Sequence, residues 1–389
     1  MRIAILTSGI LPVPAVLGGA VENLVDFYLE YNDEYHLHDM TVYSVWHPDV
    51  ERLPALKSEE NHYVYIKVNT LWAKIKKKIY QITHGEEYYH YTIEFYLNEA
   101  IKDILKKNFD MIIIENRPGY ALKLKKVTSA KIIYHLHNDF LHKQVADAQG
   151  IYDAAKRILT VSDYIKRCVE TIDSLSKKTI TVYNGIDLSL FKQKGILKRY
   201  QLGFCTDDFI IVFSGRVNSE KGILELIEAM ALLKDYPRIK LLVIGSSFFG
   251  NVHDDDIFTG QLKARAESLE DRITFTGFIP YSHVPDYMLL ADIAVLPSMW
   301  EEPFGLTVVE AMAAGLPLVT TRSGGIPEIC EGVAIIIEKE NIIDNLAKAI
   351  IDLFENPEKR KQMSKASLER SKMFDKEIYA KNFFTAIEE

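Results

Sequence analysis

Residues 301–315 read EEPFGLTVVEAMAAG and carry the clearest structural signal in the chain. They follow a short apolar run ending near Pro297, which has the length and composition of a buried strand. Gly305 favours a loop, and residues 306–314 then have the pattern of a short helix that Gly315 ends. A buried strand, a loop and a helix in this order predict one half of a βαβ unit.

The start of this predicted helix is a candidate ligand site. The backbone amides of Gly305, Leu306 and Thr307 lack partners within the helix and lie at the positive end of its dipole, which suits a phosphate. Glu302 precedes the helix and Glu310 lies inside it, so one carboxylate can contact a sugar and the other a ribose. An ordinary solvated helix start with favourable acidic residues is the alternative interpretation.

A second pattern of charged residues follows the apolar run that ends at Phe213. Arg216 comes directly after a glycine, and Lys221 follows five residues later. Departure of a nucleoside diphosphate builds negative charge on its phosphates, and fixed cations stabilise that charge most in the transition state. Arg216 can donate to two phosphate oxygens, while Lys221 acts as a point charge. A surface ion pair of Arg216 with Glu220 is the alternative.

Strand and helix patterns alternate along the whole chain. Short runs rich in Ile, Val and Leu fit strands buried on both faces of a parallel sheet, and stretches such as 220–234 and 342–354 have helical length. This alternation predicts βαβ units with right-handed crossovers. The predicted strands are Ile3–Ser8, Met40–Val45, Met111–Ile114, Lys131–His135, Ile158–Val161, Thr179–Tyr183, Phe209–Phe213, Lys240–Ile244, Ile273–Thr276, Ile293–Leu296, Leu318–Thr320 and Ala334–Ile337.

Two domains of similar size account for the length of 389 residues. The polar connection at 189–207 is interpreted as the linker, so the fold class is α/β, with doubly wound Rossmann-like domains at 1–188 and 189–372. Two such domains facing each other would place their ligand loops around a central cleft. The helical tail at about 373–389 either closes the second domain or packs back on the first.

Composition excludes several classes of function. Hydrophobic residues make up 48% and charged residues 26%, the balance of a soluble globular protein, and a net charge of −8 argues against a nucleic-acid binder. Three widely spaced cysteines support neither a disulfide framework nor a zinc site, which fits a reducing cytoplasm. The apolar start is interpreted as a strand rather than a secretion signal, because Pro12 and Pro14 interrupt it.

Two weaker patterns occur in the first half. Gly18 and Gly19 follow the first predicted strand and open a helix, where glycine lets the backbone approach a ligand without a Cβ clash. His137 lies just past a strand end, where ligand loops belong, whereas His135 alternates within the strand and is assigned to the core. A packed or capping histidine is the alternative for His137.

Together these motifs resemble the GT-B retaining glycosyltransferases of glycosyltransferase family 4, the glycosyl transferases group 1. The resemblance covers most of the second half and fewer points in the first. The matching residues are Gly215-Arg216, Glu220-Lys221-Gly222, Gly277, Pro297-Ser298, Glu302-Pro303-Phe304-Gly305, Glu310-Ala311-Met312-Ala313, Gly315, Pro317 and Gly324-Gly325-Ile326-Pro327-Glu328, with Gly18-Gly19, His137, Thr160-Val161-Ser162 and Asn184-Gly185-Ile186-Asp187 in the first half.

The resemblance implies roles for matching positions. Arg216 and Lys221 would hold the donor diphosphate, which Gly19 would approach, while Glu302 would bind hydroxyls of the donor sugar and Glu310 the ribose. The other implied donor contacts are Gly18, Phe278 near the base, Phe304, the amides of Gly305, Leu306 and Thr307 near the phosphate, and His137 at the sugar.

The implied activity is transfer of a sugar from a nucleotide-diphosphate donor, by family frequency a UDP-sugar, to a hydroxyl of a glycan or lipid-linked acceptor in cell-surface polysaccharide or glycolipid synthesis. The acceptor would attack the face that the diphosphate leaves, although a double displacement stays open. The alternatives are a GT-B glycan phosphorylase and a non-catalytic sugar-nucleotide binding module. An NAD oxidoreductase is disfavoured because no GxGxxG follows either opening strand.

Two further patterns concern metals and membranes. Asp254–Asp256 lies in a polar segment without a second ligand cluster, so a solvated loop is favoured, and neither an essential metal nor another cofactor is predicted. Residues 72–80, WAKIKKKIY, suit an anionic membrane surface or a solvated basic helix face. The expected location is cytoplasmic, with peripheral contact to the inner face of the cell membrane as an open alternative.

Overall fold

The structure, a computed structural model, describes residues 1–53, 58–84, 91–175, 177–192, 197–246, 257–269 and 272–389. These residues form two compact units. The N-terminal unit comprises Met1–Asn184 together with Lys376–Glu389, and the C-terminal unit comprises Gly185–Asp375. The end of the chain therefore belongs with its beginning.

The N-terminal unit contains one parallel sheet of seven described strands. They are β1 (Arg2–Leu6), β2 (Asp39–Val45), β3 (Asn61–Ile66), β4 (Met111–Glu115), β5 (Lys131–Leu136), β6 (Arg157–Thr160) and β7 (Thr179–Thr181). The helices before the second unit are α1 (Ala20–Tyr35), α2 (Leu71–His84), α3 (Tyr91–Ile104), α4 (Ala121–Leu124), α5 (Ala148–Ala154) and α6 (Asp163–Glu170). The strand order is β3-β2-β1-β4-β5-β6-β7.

The C-terminal unit contains a parallel sheet of six described strands. They are β8 (Phe209–Ser214), β9 (Ile239–Ile244), β10 (Ile273–Phe275), β11 (Ile293–Leu296), β12 (Leu318–Thr321) and β13 (Ile335–Ile337). The described helices are α7 (Ser189–Lys192), α8 (Ile223–Leu232), α9 (Ile257–Glu267), α10 (Val284–Met288), α11 (Leu306–Ala313), α12 (Ile326–Cys330), α13 (Ile342–Glu355) and α14 (Pro357–Ser371). The strand order is β10-β9-β8-β11-β12-β13.

Both sheets reverse their strand order beside the first strand. In the N-terminal sheet β1 pairs with β2 on one side and with β4 on the other, and in the C-terminal sheet β8 lies between β9 and β11. Loops that leave neighbouring strands at such a switch point diverge and open a crevice at the carboxyl ends of the strands. The loops after β1, β4, β8 and β11 are therefore the expected ligand loops of each unit.

Burial on both faces explains why the central strands are almost continuously apolar. Every residue of β4 and of β8 is buried, including the polar terminal residues Glu115 and Ser214. The last helix, α15 (Lys376–Glu388), packs against α1, where the ring of Phe383 stacks on Tyr28 with 4.2 Å between centroids. The helical tail thus completes the core of the N-terminal unit.

All twelve predicted strands are present, with ends shifted by at most a few residues. The sequence did not predict β3, which lies at the edge of its sheet and reads NHYVYI. An edge strand needs no continuous apolar run, because one side and part of its faces meet solvent. Across the described residues, no helix combines the length and apolar character needed to cross a membrane.

Candidate active site

Two loops of the C-terminal unit are held together at its switch point. Gly222 has φ +68°, and a Cβ there would lie 1.8 Å from the carbonyl oxygen of Pro297, so only glycine fits. The amide of Met299 donates to the carbonyl of Glu220 over 2.8 Å. These contacts fix the loop after β8 against the loop after β11, and they place Lys221 beside Glu302.

Lys221 and Glu302 form the central ion pair of the site. The Lys221 Nζ lies 2.5 Å from the Glu302 Oε1, and the two side chains are 19% and 9% exposed. The hydroxyl of Ser298 donates to the same carboxylate oxygen over 2.8 Å. A largely buried ammonium and a buried carboxylate are therefore held in one geometry, although they are 81 positions apart in sequence.

The backbone behind Glu302 is equally constrained. The amide of Gly325 donates to the Glu302 carbonyl over 2.8 Å, and a Cβ on Gly324 would overlap that same carbonyl. The hydroxyls of Thr321 and Ser323 donate to the Ser298 carbonyl over 2.6 and 2.9 Å. These contacts explain the glycines and hydroxyl-bearing residues at the end of β12 and directly after it. Of these, the sequence motif included Gly324 and Gly325 but not Thr321 or Ser323.

The start of α11 forms one wall of a pocket that contains this ion pair. Gly305 precedes the helix with φ +109°, and Leu306 begins it as predicted. The amides of the first turn lie at the positive end of the helix dipole, which suits an anion. The pocket is lined by Phe213, Ser214, Lys221, Leu296, Ser298, Glu302, Gly305, Thr307, Val308 and Ile326.

Arg216 lies at the rim of this unit rather than in the pocket lining. Its side chain is half exposed and contacts Glu220 over 3.4 Å, the ion pair named as the alternative from sequence. Exposed pairs of this kind contribute about 0–1 kcal/mol, so little free energy holds Arg216 there. Phe278 is exposed, whereas the Phe304 ring is buried and packs edge-on against Phe374, so only the backbone of Phe304 is available to a ligand.

Glu310 is buried on α11 and lies outside the lining of the pocket. Burial raises the pKa of its carboxyl from 4.5 to about 7, because water no longer solvates the charge. Tyr281 is close enough for the Glu310 charge to add to the effect of burial in raising the pKa of the tyrosine. A buried carboxyl with a strongly raised pKa is a feature typical of ligand sites.

In the N-terminal unit, the loop after β1 carries the predicted glycines. Gly18 and Gly19 have φ values of +74° and +113°, and a Cβ on Gly19 would overlap the Glu22 carboxylate. Burial raises the pKa of Glu22 to about 7 despite a hydrogen bond from its own backbone amide. Gly19 thus leaves room for a buried acidic group on the first turn of α1.

His137 belongs to a polar cluster that sequence analysis did not foresee. Its Nε2 lies 2.9 Å from the Oε2 of Glu115 at the end of β4, and the Nδ1 of His135 lies 3.0 Å from the same oxygen. His135 is buried as predicted, but it contacts a carboxylate rather than apolar side chains alone. One signal for this cluster is present in the sequence, because Glu115 is a charged residue directly after the apolar run 111–114. In the structure this run forms β4, which pairs with β5.

The same cluster is the place where described residues could hold a cation. Ligand atoms of Glu115, His135 and His137 lie within 4.8 Å of one another. The acidic run Asp254–Asp256, considered from sequence, lies outside the described residues. The separations of 2.9 and 3.0 Å from one carboxylate oxygen are those of N–H···O hydrogen bonds, and the second ring nitrogen of each histidine has no partner among the described residues.

Helix α2 presents the predicted basic and apolar patch. Its large apolar side chains recur every three or four residues, which places them on one side of the helix. The exposed ones are Leu71, Trp72, Ile75, Ile79 and Ile82. The lysines of 74–78 flank this side.

The sequence of the chain is similar to those of known glycosyltransferases. The sequence family described as glycosyl transferases group 1 matches residues 197–370. YtcC of Bacillus subtilis is 31% identical over 380 residues, which cover 94% of this chain and 86% of YtcC. Spore coat protein SA of the same organism is 31% identical over 387 residues, covering 94% and 93% of the two chains.

Solved structures share the fold over the whole chain. HepE of Anabaena, in complex with UDP and glucose, superposes with a TM-score of 0.75 at 19% identity and covers 100% of this chain and 99% of HepE. Sucrose-phosphate synthase of Thermosynechococcus elongatus gives a TM-score of 0.76 at 21% identity, covering 100% and 98%. The two Rossmann-like parallel sheets are therefore those of the GT-B fold, and the chain belongs to the glycosyl transferases group 1 family.

Proposed function

We propose that this glycosyltransferase is a retaining member of glycosyltransferase family 4 that transfers a sugar from a nucleotide-diphosphate donor, by default a UDP-sugar, to a hydroxyl of a glycan or lipid-linked acceptor. The observation that carries the proposal is the Lys221–Glu302 ion pair beside the first turn of α11. A diphosphate needs positive charge and amide donors, while sugar hydroxyls need an acceptor. The pocket offers all three.

The donor would rearrange this ion pair. The diphosphate would take the Lys221 ammonium and the amides of Leu306 and Thr307, and Glu302 would turn its acceptor oxygens to the sugar hydroxyls. Arg216 would leave its weak pair with Glu220 and donate to the phosphates. Negative charge grows on the phosphates as the glycosidic bond breaks, so cations held at that position lower the barrier.

The lining of the pocket supports a reaction on the face that the diphosphate leaves. Glu302 is the one carboxylate that lines the described pocket, and Lys221 and Ser298 already engage it. We therefore assign the proton of the acceptor to the departing phosphate oxygen, with attack on the face that the diphosphate leaves. The cations supply the positive charge that a metal would bring, so we propose no essential metal.

A donor screen tests this function. Purified protein is incubated with UDP-, GDP-, ADP- and dTDP-sugars, with and without EDTA, and nucleoside diphosphate release is measured. We expect release from one donor, which EDTA leaves unchanged and which Lys221→Met slows about 10²- to 10³-fold. Lys339→Met is the matched control, because Lys339 pairs with Glu301 over 2.6 Å one residue away from the site.

The same screen separates the alternatives. A glycan phosphorylase would ignore every nucleotide sugar and release sugar phosphate from a glycan and inorganic phosphate. A binding module would bind a nucleotide sugar and release nothing, even with acceptors present. Either result would overturn the proposed transfer reaction, and loss of release in EDTA would overturn its independence of metal. HepE, whose structures contain UDP and UDP-glucose, supports the choice of UDP-glucose as the first donor to test.

We further propose that the apolar side of α2 contacts an anionic membrane, where a lipid-linked acceptor resides. Trp72 and Ile82 are more than 70% exposed, and lysines flank them, a combination that suits the interface of an anionic bilayer. Flotation with phosphatidylglycerol vesicles should carry the wild type and leave Trp72→Ser/Ile82→Ser behind. Leu175→Ser, an exposed apolar residue elsewhere in the unit, is the control. Equal flotation of all three would refute the membrane contact.

A further inference from the structure

The Glu115 carboxylate is held from three directions in the core of the N-terminal unit. It is fully buried at the end of β4. The Tyr28 hydroxyl on α1 donates to Oε1 over 3.0 Å, and the His135 Nδ1 on β5 lies 3.0 Å from Oε2. The His137 Nε2 lies 2.9 Å from Oε2. A buried carboxylate with this many donors has a fixed orientation, and so have the groups that donate to it.

This arrangement determines which nitrogen of His137 carries the proton. An ionised carboxylate only accepts hydrogen bonds, so the nitrogen that faces it, Nε2, must be protonated. In the neutral ring the lone pair is then on Nδ1. That atom is buried and has no hydrogen-bond partner among the described residues. The backbone is fixed as well, because the His137 amide donates to the Asn116 side chain over 3.1 Å.

We propose that Glu115 is a positioning residue: it holds His137 in the Nε2–H tautomer, so that Nδ1 is presented as a hydrogen-bond acceptor to a hydroxyl of the transferred sugar. This rests on the proposed function, which supplies the sugar. A buried acceptor without a partner is costly unless a ligand donor completes it, and a sugar hydroxyl is such a donor. Histidines that act on substrates are commonly oriented by a carboxylate in this way.

The ionisation of the two groups agrees with this assignment. Burial alone would raise the pKa of Glu115, but the charge and hydrogen bonds of His135 and His137 outweigh it and hold the pKa at about 2. Burial, followed by the nearby His135, lowers the pKa of His137 to about 4 despite the carboxylate. At neutral pH the pair is therefore a carboxylate and a neutral imidazole, whose Nδ1 lone pair has no partner among the described residues.

The tautomer can be measured without any enzymatic activity. Protein labelled with nitrogen-15 in its histidine rings is examined by NMR at pH 7.5, and the His137 signals are assigned as those lost in His137→Asn. We expect Nε2 to be protonated and Nδ1 to show the shift of an unprotonated nitrogen. A protonated Nδ1 in the wild type would overturn the proposal, and so would elemental analysis that finds a stoichiometric metal lost in His137→Asn.

Kinetics then test whether Glu115 acts through His137. We expect Glu115→Gln and His137→Asn each to lower kcat about 10- to 100-fold, the loss of one aligned polar contact, and to change the KM of the donor less than about threefold, since most donor contacts remain. The double variant should be no slower than His137→Asn alone. If the loss of kcat in the double variant equalled the product of the losses in the two single variants, the proposal would be overturned, because Glu115 and His137 would then act independently.

Tyr43→Phe is the matched control. Tyr43 is a buried tyrosine of the same unit whose hydroxyl donates to Asp103 over 3.0 Å, so we expect kcat within about threefold of the wild type. If Tyr43→Phe were as slow as Glu115→Gln, disturbance of the core would explain both variants and the positioning role would be wrong. If the wild type turned over no donor, the proposed function would fail, whereas the tautomer measurement would still decide the state of His137.

Discussion

Removal of the Lys221 charge separates the stabilising from the catalytic role of the ion pair. Lys221→Met keeps the length of the side chain and leaves Glu302 with the Ser298 hydroxyl as its remaining described donor. Breaking a fully buried pair costs about 3–5 kcal/mol. Because Lys221 is 19% exposed and Ser298 stays, we expect about 2 kcal/mol, which corresponds to a Tm lower by about 4–8 °C for a unit of this size.

The effect on activity should be larger and should have a different cause. Loss of one fixed charge that stabilises a developing anion lowers kcat about 10²- to 10³-fold. Adding Glu302→Gln to Lys221→Met removes the unpaired carboxylate, so the double variant should regain most of the Tm and none of the activity. Differential scanning fluorimetry and nucleoside diphosphate release measure the two effects in the same samples.

Lys339→Met is the control for both measurements. Lys339 forms an ion pair with Glu301 of similar length, and neither residue has a predicted substrate contact. We expect its kcat to stay within about threefold of the wild type. Two results would contradict a catalytic role of the Lys221 charge: a kcat of Lys221→Met within threefold of the wild type, or a double variant that regains activity together with Tm. The first result would remove Lys221 from the reaction, and the second would make its role purely structural.

Three other perturbations give distinct signatures. Arg216→Gln should lower kcat/KM about tenfold or more while the Tm stays within about 1 °C, because its present pair with Glu220 is exposed; initial rates and fluorimetry check this. The pKa of Glu310 is about 7 in the folded protein against an ordinary value of 4.5, so the folded protein binds this proton more tightly than the unfolded chain does. The protonated carboxyl therefore contributes fully to stability below pH 4.5, and this contribution is lost as the pH rises through 7. Glu310→Gln should therefore raise the free energy of unfolding at pH 8 by up to about 3 kcal/mol, at 1.36 kcal/mol per pKa unit, and much less at pH 5. The Tm at the two pH values measures this effect, and an equal rise at both would contradict this cause. Gly222→Ala should lower the free energy of unfolding by about 3 kcal/mol, because of the positive φ and the overlap with the Pro297 carbonyl. This appears as a lower midpoint in urea, and an unchanged midpoint would show that the two loops separate readily.

The architecture follows from the sequence because its determinants are local. Runs such as 111–114 and 293–296 are apolar throughout, which is how strands covered on both faces appear, and helical stretches separate them. Parallel pairing and the position of the ligand loops then follow from general rules of βαβ topology. The exception, β3, has an exposed edge and so lacks the continuous apolar signal.

The polar partnerships were harder to predict because they depend on register and loop closure. Glu115 meets the histidines because β4 and β5 pair Glu115 with His135, a register that no local pattern encodes. Lys221 and Glu302 were each predicted, but their direct contact depends on how Gly222 approaches Pro297. Phe304 shows the reverse case: its motif suggested a ligand contact, whereas its ring is needed in the core.

We propose that the anomeric carbon of the donor sugar moves from the diphosphate to an acceptor hydroxyl with its configuration retained. NMR of a reaction with donor labelled with carbon-13 at that carbon tests this directly. We expect the label to pass into a glycoside of the same anomeric configuration, with one nucleoside diphosphate released per glycoside. A glycoside of inverted configuration, free labelled sugar as the main product, or a labelled sugar phosphate would contradict it.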